Sequence, residues 1–74
     1  MVMEKEYTVA MLHMKNGDML VGYGDTEEEA ELDALEAGKK NGRNHSNKDC
    51  KKKVIERSRG PVPKRLKEKR RGNH

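Results

Sequence analysis

Residues 6–31 read EYTVAMLHMKNGDMLVGYGDTEEEAE, and the reading of this stretch decides the fold. Glu6 to Met14 is mostly apolar and rich in β-formers, Lys15 to Asp18 interrupts it, and Met19 to Gly24 is apolar again. Two such runs around an Asn-Gly pair predict a β-hairpin. With Asn16 and Gly17 at the centre of a two-residue type I′ turn, both at positive φ, Lys15 faces Asp18 and Met14 faces Met19. Leu12 then faces Val21 and Ala10 faces Tyr23, which gathers one bulky apolar set on a single face. The other face carries Val9, Met11 and His13 beside Leu20, Gly22 and Gly24. It is thinner, and its glycines admit a helix or another chain at close range.

Asp25 stops the second strand, and Thr26 with Glu29 three residues later forms the signature of a capped helix start. Glu27, Glu28 and Glu29 lie where the helix dipole favours anions, and Lys39 and Lys40 lie at the opposite end. Ala30, Ala34, Ala37 and Gly38 make a narrow stripe of small residues bordered by Leu35, with Asn41-Gly42 as the C-cap. Such a stripe is expected to pack close against the sheet.

Downstream the signals weaken. Asn41 to Asp49 is polar and turn-rich, and Cys50 to Arg57 sets Val54 and Ile55 among lysines. A third, edge strand returning beside the first would give spatial order 2-1-3, and lysines are common on exposed edges. A short helix from Asn47, or no regular structure, is the competing reading. Gly60-Pro61-Val62-Pro63 breaks whatever precedes it, and Lys64 to Arg71 reads as a basic segment, nascent helix at best, with Leu66 its one apolar anchor. The expected class is therefore α+β: a small ββα head over residues 1–42, a polar loop and candidate third strand over 43–59, and a flexible basic C-terminal arm over 60–74.

Length and composition set the bounds. A chain of 74 residues with no Phe or Trp, and only Tyr7 and Tyr23 as aromatics, builds a thin core. A partner or a second copy, as in a homodimer, would add stability. Cys50 is the sole cysteine, so no internal disulfide forms, and the ordinary reading is an intracellular, cytoplasmic protein kept reduced. The N-terminus lacks the apolar run of a secretory signal, and no stretch approaches membrane-spanning length, so no membrane partner is expected.

Charge divides the chain. Residues 1–42 hold four Lys against ten Asp or Glu, a formal −6, whereas residues 43–74 hold thirteen Lys or Arg against three acids, a formal +10. Chains built this way can fold back on themselves, masking the basic segment until a polyanion competes.

The run from Gly22 to Glu31 resembles the last strand and final helix start of double-stranded RNA-binding domains, and also the strand-to-helix junction of HicB-type antitoxins. In the RNA-binding family that helix start carries lysines against phosphate. Here Glu27 and Glu28 stand at those positions, so the RNA site does not carry over to this helix.

Catalysis has little to work with, because a nucleophile needs an activating base and a shaped pocket and the chain offers no such combination. No enzyme activity and no cofactor are expected. Cys50 lies in a lysine-rich stretch, but a lone cysteine is ordinarily incidental. His13 on a hairpin face is ordinarily half-buried. His45, Asp49 and Cys50, with His74 as a fourth ligand, match no structural zinc spacing.

The basic segment carries more. Lys51, Lys52, Lys53, Arg57, Arg59, Lys64, Arg65, Lys67, Lys69, Arg70 and Arg71 are interrupted only by Glu56 and Glu68, a density that attracts phosphate and releases counterions without reading sequence. No aromatic residue accompanies them to stack bases. The expected function is non-enzymatic binding of nucleic acid, RNA ahead of DNA, or of a ribonucleoprotein surface. The alternative is a small regulator, an inhibitor or adaptor, whose acidic head docks on a protein through Glu27, Glu28, Glu29 and Glu31.

Overall fold

The computed structural model describes residues 6–71. Three strands, β1 (Glu6–Met14), β2 (Met19–Gly24) and β3 (Cys50–Arg59), form an antiparallel sheet in order β2-β1-β3. Helix α1 (Glu27–Lys40) follows β2, a single 3-10 turn (Asn47–Asp49) precedes β3, and helix α2 (Lys64–Arg71) closes the described chain. The α+β class, the hairpin bounds, the capped helix and the third strand in order 2-1-3 all agree with the sequence reading.

The hairpin register does not. Leu12 faces Leu20, Ala10 faces Gly22 and Thr8 faces Gly24, one residue away from the expected pairing. The turn is the cause. Gly17 N–H donates to Met14 O at 3.0 Å and Met14 N–H to Asp18 O at 2.8 Å, so three residues, Lys15 to Gly17, form the loop. Of these three, only Gly17 has positive φ, at 99°. Asn16 instead folds its side chain over the turn, accepting from the Asp18 N–H at 3.0 Å. This is an Asx-type arrangement followed by a left-handed glycine, the alternative three-residue hairpin loop.

The slip moves β2 by one face. Ala10, Leu12 and Met14 now share the buried side with Leu20, Gly22 and Gly24, and α1 lies on them. A Cβ on Gly22 would meet Ala30 O and Ala34 N at 2.2 Å, and one on Gly24 would meet Ala30 N at 2.6 Å, so helix backbone rests almost directly on strand backbone. The small-residue stripe and the glycines are two halves of one contact. Val9, Met11, Val21, Tyr7 and Tyr23 occupy the opposite face, half-buried, with the two tyrosine rings edge-to-face at 5.9 Å.

A bulge adjusts β3. Its pairing with β1 runs regularly from Glu6–Arg59 to His13–Lys52 and then shifts so that Met14 faces Cys50, leaving Lys51 unpaired. Without the shift Lys51 would lie opposite Met14 on the core side. The extra residue turns the lysine out and packs Cys50 against the cluster of Leu12, Met14, Leu20 and Ala34.

The segment expected as a flexible arm is helical over Lys64–Arg71, and it touches the sheet. Leu66 is 3% exposed. No helix among the described residues is long and apolar enough to cross a membrane.

Candidate nucleic-acid interface

Asp33 organises the docking of α2. It sits on α1 beside the small-residue stripe and is 3% exposed. Its Oδ2 accepts the Tyr23 N–H at 2.9 Å and Arg65 Nη2 at 2.6 Å, and its Oδ1 meets Lys69 Nζ at 2.8 Å. Arg65 Nη2 also donates to Val21 O at 3.0 Å, and its guanidinium lies 5.3 Å from the centre of the Tyr23 ring. Strand β2 is an edge of the sheet. The carboxylate and the guanidinium therefore satisfy two backbone groups on its open side, which protects that edge from pairing with another chain. Burial pushes the Asp33 carboxyl up, but hydrogen bonds from Arg65, Lys69 and the Tyr23 N–H outweigh it and hold it below the ordinary Asp value.

The rest of the basic segment is largely engaged in the same way. Arg70 pairs with Asp25 and donates to Glu6 O at 3.1 Å, while Lys69 reaches Glu36 at 3.7 Å. Arg57 and Arg59 both hold Glu6, at 3.2 and 3.1 Å, and Arg57 also donates to the buried Thr8 hydroxyl at 3.0 Å. Lys53 pairs with Glu31 at 2.9 Å, whose hydrogen bond and charge raise the lysine pKa. The fold-back anticipated from the opposed charges is thus built from individual pairs.

Lys51, Lys52, Lys64 and Lys67 are exposed and have no acidic partner among the described residues. They form two groups, one at the start of β3 and one on α2. The side chain of Arg71 lies outside the described part of the molecule, as does His74. On the acidic side, Glu29 accepts the Asp25 N–H at 3.0 Å and donates its own N–H to the Thr26 hydroxyl at 3.2 Å, so it caps the helix. Glu31 is tied to Lys53. Glu27 and Glu28 remain exposed.

A second organiser is Asp18, on the hairpin turn. Its carboxylate accepts from Arg43 Nη1 at 2.8 Å and Asn16 Nδ2 at 3.1 Å, and His45 Nε2 lies 2.9 Å away. His45 first, then Asn16 and the Arg43 charge, hold its carboxyl below the ordinary value. His45 also faces Asp49 at 3.7 Å, whereas the Cys50 thiol turns to Lys52 O at 3.3 Å and towards the core. His13 is half-buried on the outer face, opposite Met19 and Lys52.

Neither Asp33 nor Asp18 was singled out in the sequence reading. Asp33 left a signal, because it lies three residues after Ala30 and just before Ala34, on the border of the stripe that must be buried. A carboxylate there requires a cationic partner. Which cation, and from how far along the chain, is not written locally. Comparison with protein-family models, with curated proteins and with solved structures finds no match to this chain.

Proposed function

We propose that this protein is a non-enzymatic, nucleic-acid-associated binding protein that holds the phosphates of RNA, or of a ribonucleoprotein surface, without strong sequence readout, in the cytoplasm. One observation carries the reading. Lys51, Lys52, Lys64 and Lys67 stay exposed and, among the described residues, unpaired in a fold that gives an acidic partner to most of the neighbouring cations. Lysines held this way gain from phosphate what they lack from the protein, and they release counterions on contact. Stacking of bases finds little support, since the Tyr23 ring is covered by Arg65 and packs edge-on to Tyr7.

The test is binding of a labelled RNA to the full chain across a salt series, read by fluorescence anisotropy. These four lysines alone imply a log-log slope of about −3, so affinity falls at least about 50-fold between about 50 and 200 mM salt, on any sequence. Replacing all four lysines by Gln should weaken binding to every probe alike and flatten the slope. Binding indifferent to salt would overturn the proposal. So would nuclease-resistant capture of a protein that is lost on reversing Glu27 and Glu28 to Lys, which would favour docking through the acidic head.

A further inference from the structure

The end of the molecule that carries the hairpin turn collects cations from four separate segments. Helix α1 runs along β2 from Gly24 to Leu20, so its last turn, with Lys39, reaches the same end as the turn residue Lys15. Arg43 N–H donates to Gly38 O at 2.8 Å and Arg43 Nη1 to Asp18, which folds the 41–49 loop back across that end. Lys15 N–H donates to Asp49 O at 2.8 Å, bringing in the 3-10 turn with Lys48, and β3 begins there with Lys51 and Lys52. All six side chains are exposed. The carboxylates beside these cations are occupied: Asp18 by Arg43, His45 and Asn16, Asp49 by the Ser46 N–H at 3.1 Å, and Glu31, which shares a cleft with Lys51 and Lys52, by Lys53.

We infer that this turn end, presenting Lys15, Lys39, Arg43, Lys48, Lys51 and Lys52, is a binding face for the phosphate backbone of a double helix. The inference rests on the proposed function and deepens it: the contact lies at the turn end, and α2 is not the principal site. Three features favour it. First, the cations are held on a braced surface, so little ordering entropy is lost on binding. Second, the terminal carbonyls of α1, which would repel phosphate, are covered: Ala37 O accepts the Asn41 side chain, Gly38 O the Asn41 and Arg43 N–H groups, and Lys39 O the Gly42 N–H. Third, the chain's aromatics are Tyr7 and Tyr23, and both belong to the far part of the hairpin. The face therefore has charge to offer a backbone and little ring surface to offer an unstacked base, since its imidazoles are His45, held against Asp18, and the half-buried His13; a duplex, with a phosphate charge about every 1.7 Å of axis, answers it better than a single strand.

The experiment uses the full chain with a short RNA duplex, a DNA duplex of the same length and the single-stranded RNA, by anisotropy across salt. Lys15→Gln/Lys39→Gln/Lys48→Gln, three exposed lysines with no ion pair among the described residues, should weaken duplex binding about tenfold or more near 0.1 M salt and make the log-log slope shallower by about 2 to 3. Lys64→Gln/Lys67→Gln should weaken binding and flatten the slope less than the turn-end variant does, and either duplex should be bound more tightly than the single strand. Loss of binding in the α2 variant with the turn-end variant intact overturns the inference while leaving the proposed function standing. Tighter binding of the single strand likewise overturns it. Failure of the wild-type chain to bind any probe at about 50 mM salt overturns both. A circular-dichroism spectrum matching wild type confirms that each variant is folded.

Discussion

Gly22 shows how little room the fold leaves at its centre. Its missing Cβ is the space into which the backbone of α1 settles, with Ala30 and Ala34 supplying only methyl groups around it. The atoms a methyl would strike are backbone, at 2.2 Å, so no side-chain rotation relieves the clash and the helix must lift from the sheet. Gly22→Ala is expected to destabilise the protein by about 3 kcal/mol, the upper range for overpacking and a large share of the stability of so small a domain. Thermal denaturation checks this. A melting temperature equal to wild type would mean that α1 does not rest on Gly22. Gly17 is permissive in space but not in conformation: nothing lies within 4 Å of its Cβ position, yet its φ of 99° disfavours any L side chain.

Helix α2 depends on its neighbours for its existence. Eight residues are too few for a stable isolated helix, and six of them are cationic, so self-repulsion opposes it further. Docking offsets both through one apolar anchor, Leu66, and the carboxylates of Asp33, Asp25 and Glu36. Leu66 lies around a small cleft with Tyr23, Gly24 and Leu32. Truncating it as Leu66→Ala removes about 2 to 3 kcal/mol of burial, comparable to what holds the helix down. The expected result is loss of amide protection over 64–71 while β1, β2, β3 and α1 keep theirs, read by hydrogen exchange. Global unfolding in step with α2 would show that the helix is part of the core and not an attachment to it.

At the scale of the whole molecule, charge is sorted differently in space than along the chain. Residues 1–42 and 43–74 carry opposite charge, yet the fold joins them pair by pair: Glu6 with Arg57 and Arg59, Asp25 with Arg70, Glu31 with Lys53, Asp33 with Arg65 and Lys69. Acid should separate these halves. Asp18 and Asp33 are both held below their ordinary pKa in the fold, so their contacts stabilise the protein fully above the ordinary Asp range. That contribution is lost as pH falls from about 4 through the folded values, because the unfolded carboxylates take up protons first. Protonating Asp33 removes the carboxylate that Arg65 and Lys69 share, leaving α2 with Leu66, the Arg70–Asp25 pair and the weaker Glu36 contact. A pH titration followed by amide signals should therefore show α2 and the 41–49 loop releasing before the sheet. Simultaneous loss of all elements at a single pH would contradict this order.

Strands, caps and the small-residue stripe of α1 were legible in the sequence because each is set by near neighbours: β-formers in a run, an Asn-Gly between two runs, Thr26 with Glu29, alanines at helical spacing. The presence of β3 could be read, as an edge rich in lysine, but not the bulge at Lys51 that brings Cys50 to the core. The hairpin register was not legible either. Asn-Gly is compatible with a two-residue and a three-residue loop, and the local cost difference is small. Burial decides between them, since only the three-residue loop puts Gly22, Gly24 and Leu20 on the side where Ala10, Leu12 and Met14 await a helix. The candidate site divides along the same line. A basic segment able to attract phosphate follows from composition, whereas its neutralisation by Asp33, Asp25, Glu6 and Glu31 follows from contacts across twenty to sixty residues. The gathering of Lys15, Lys39, Arg43, Lys48, Lys51 and Lys52 at one end has the same origin: Coulomb attraction and burial act through space, and chain order records neither distance.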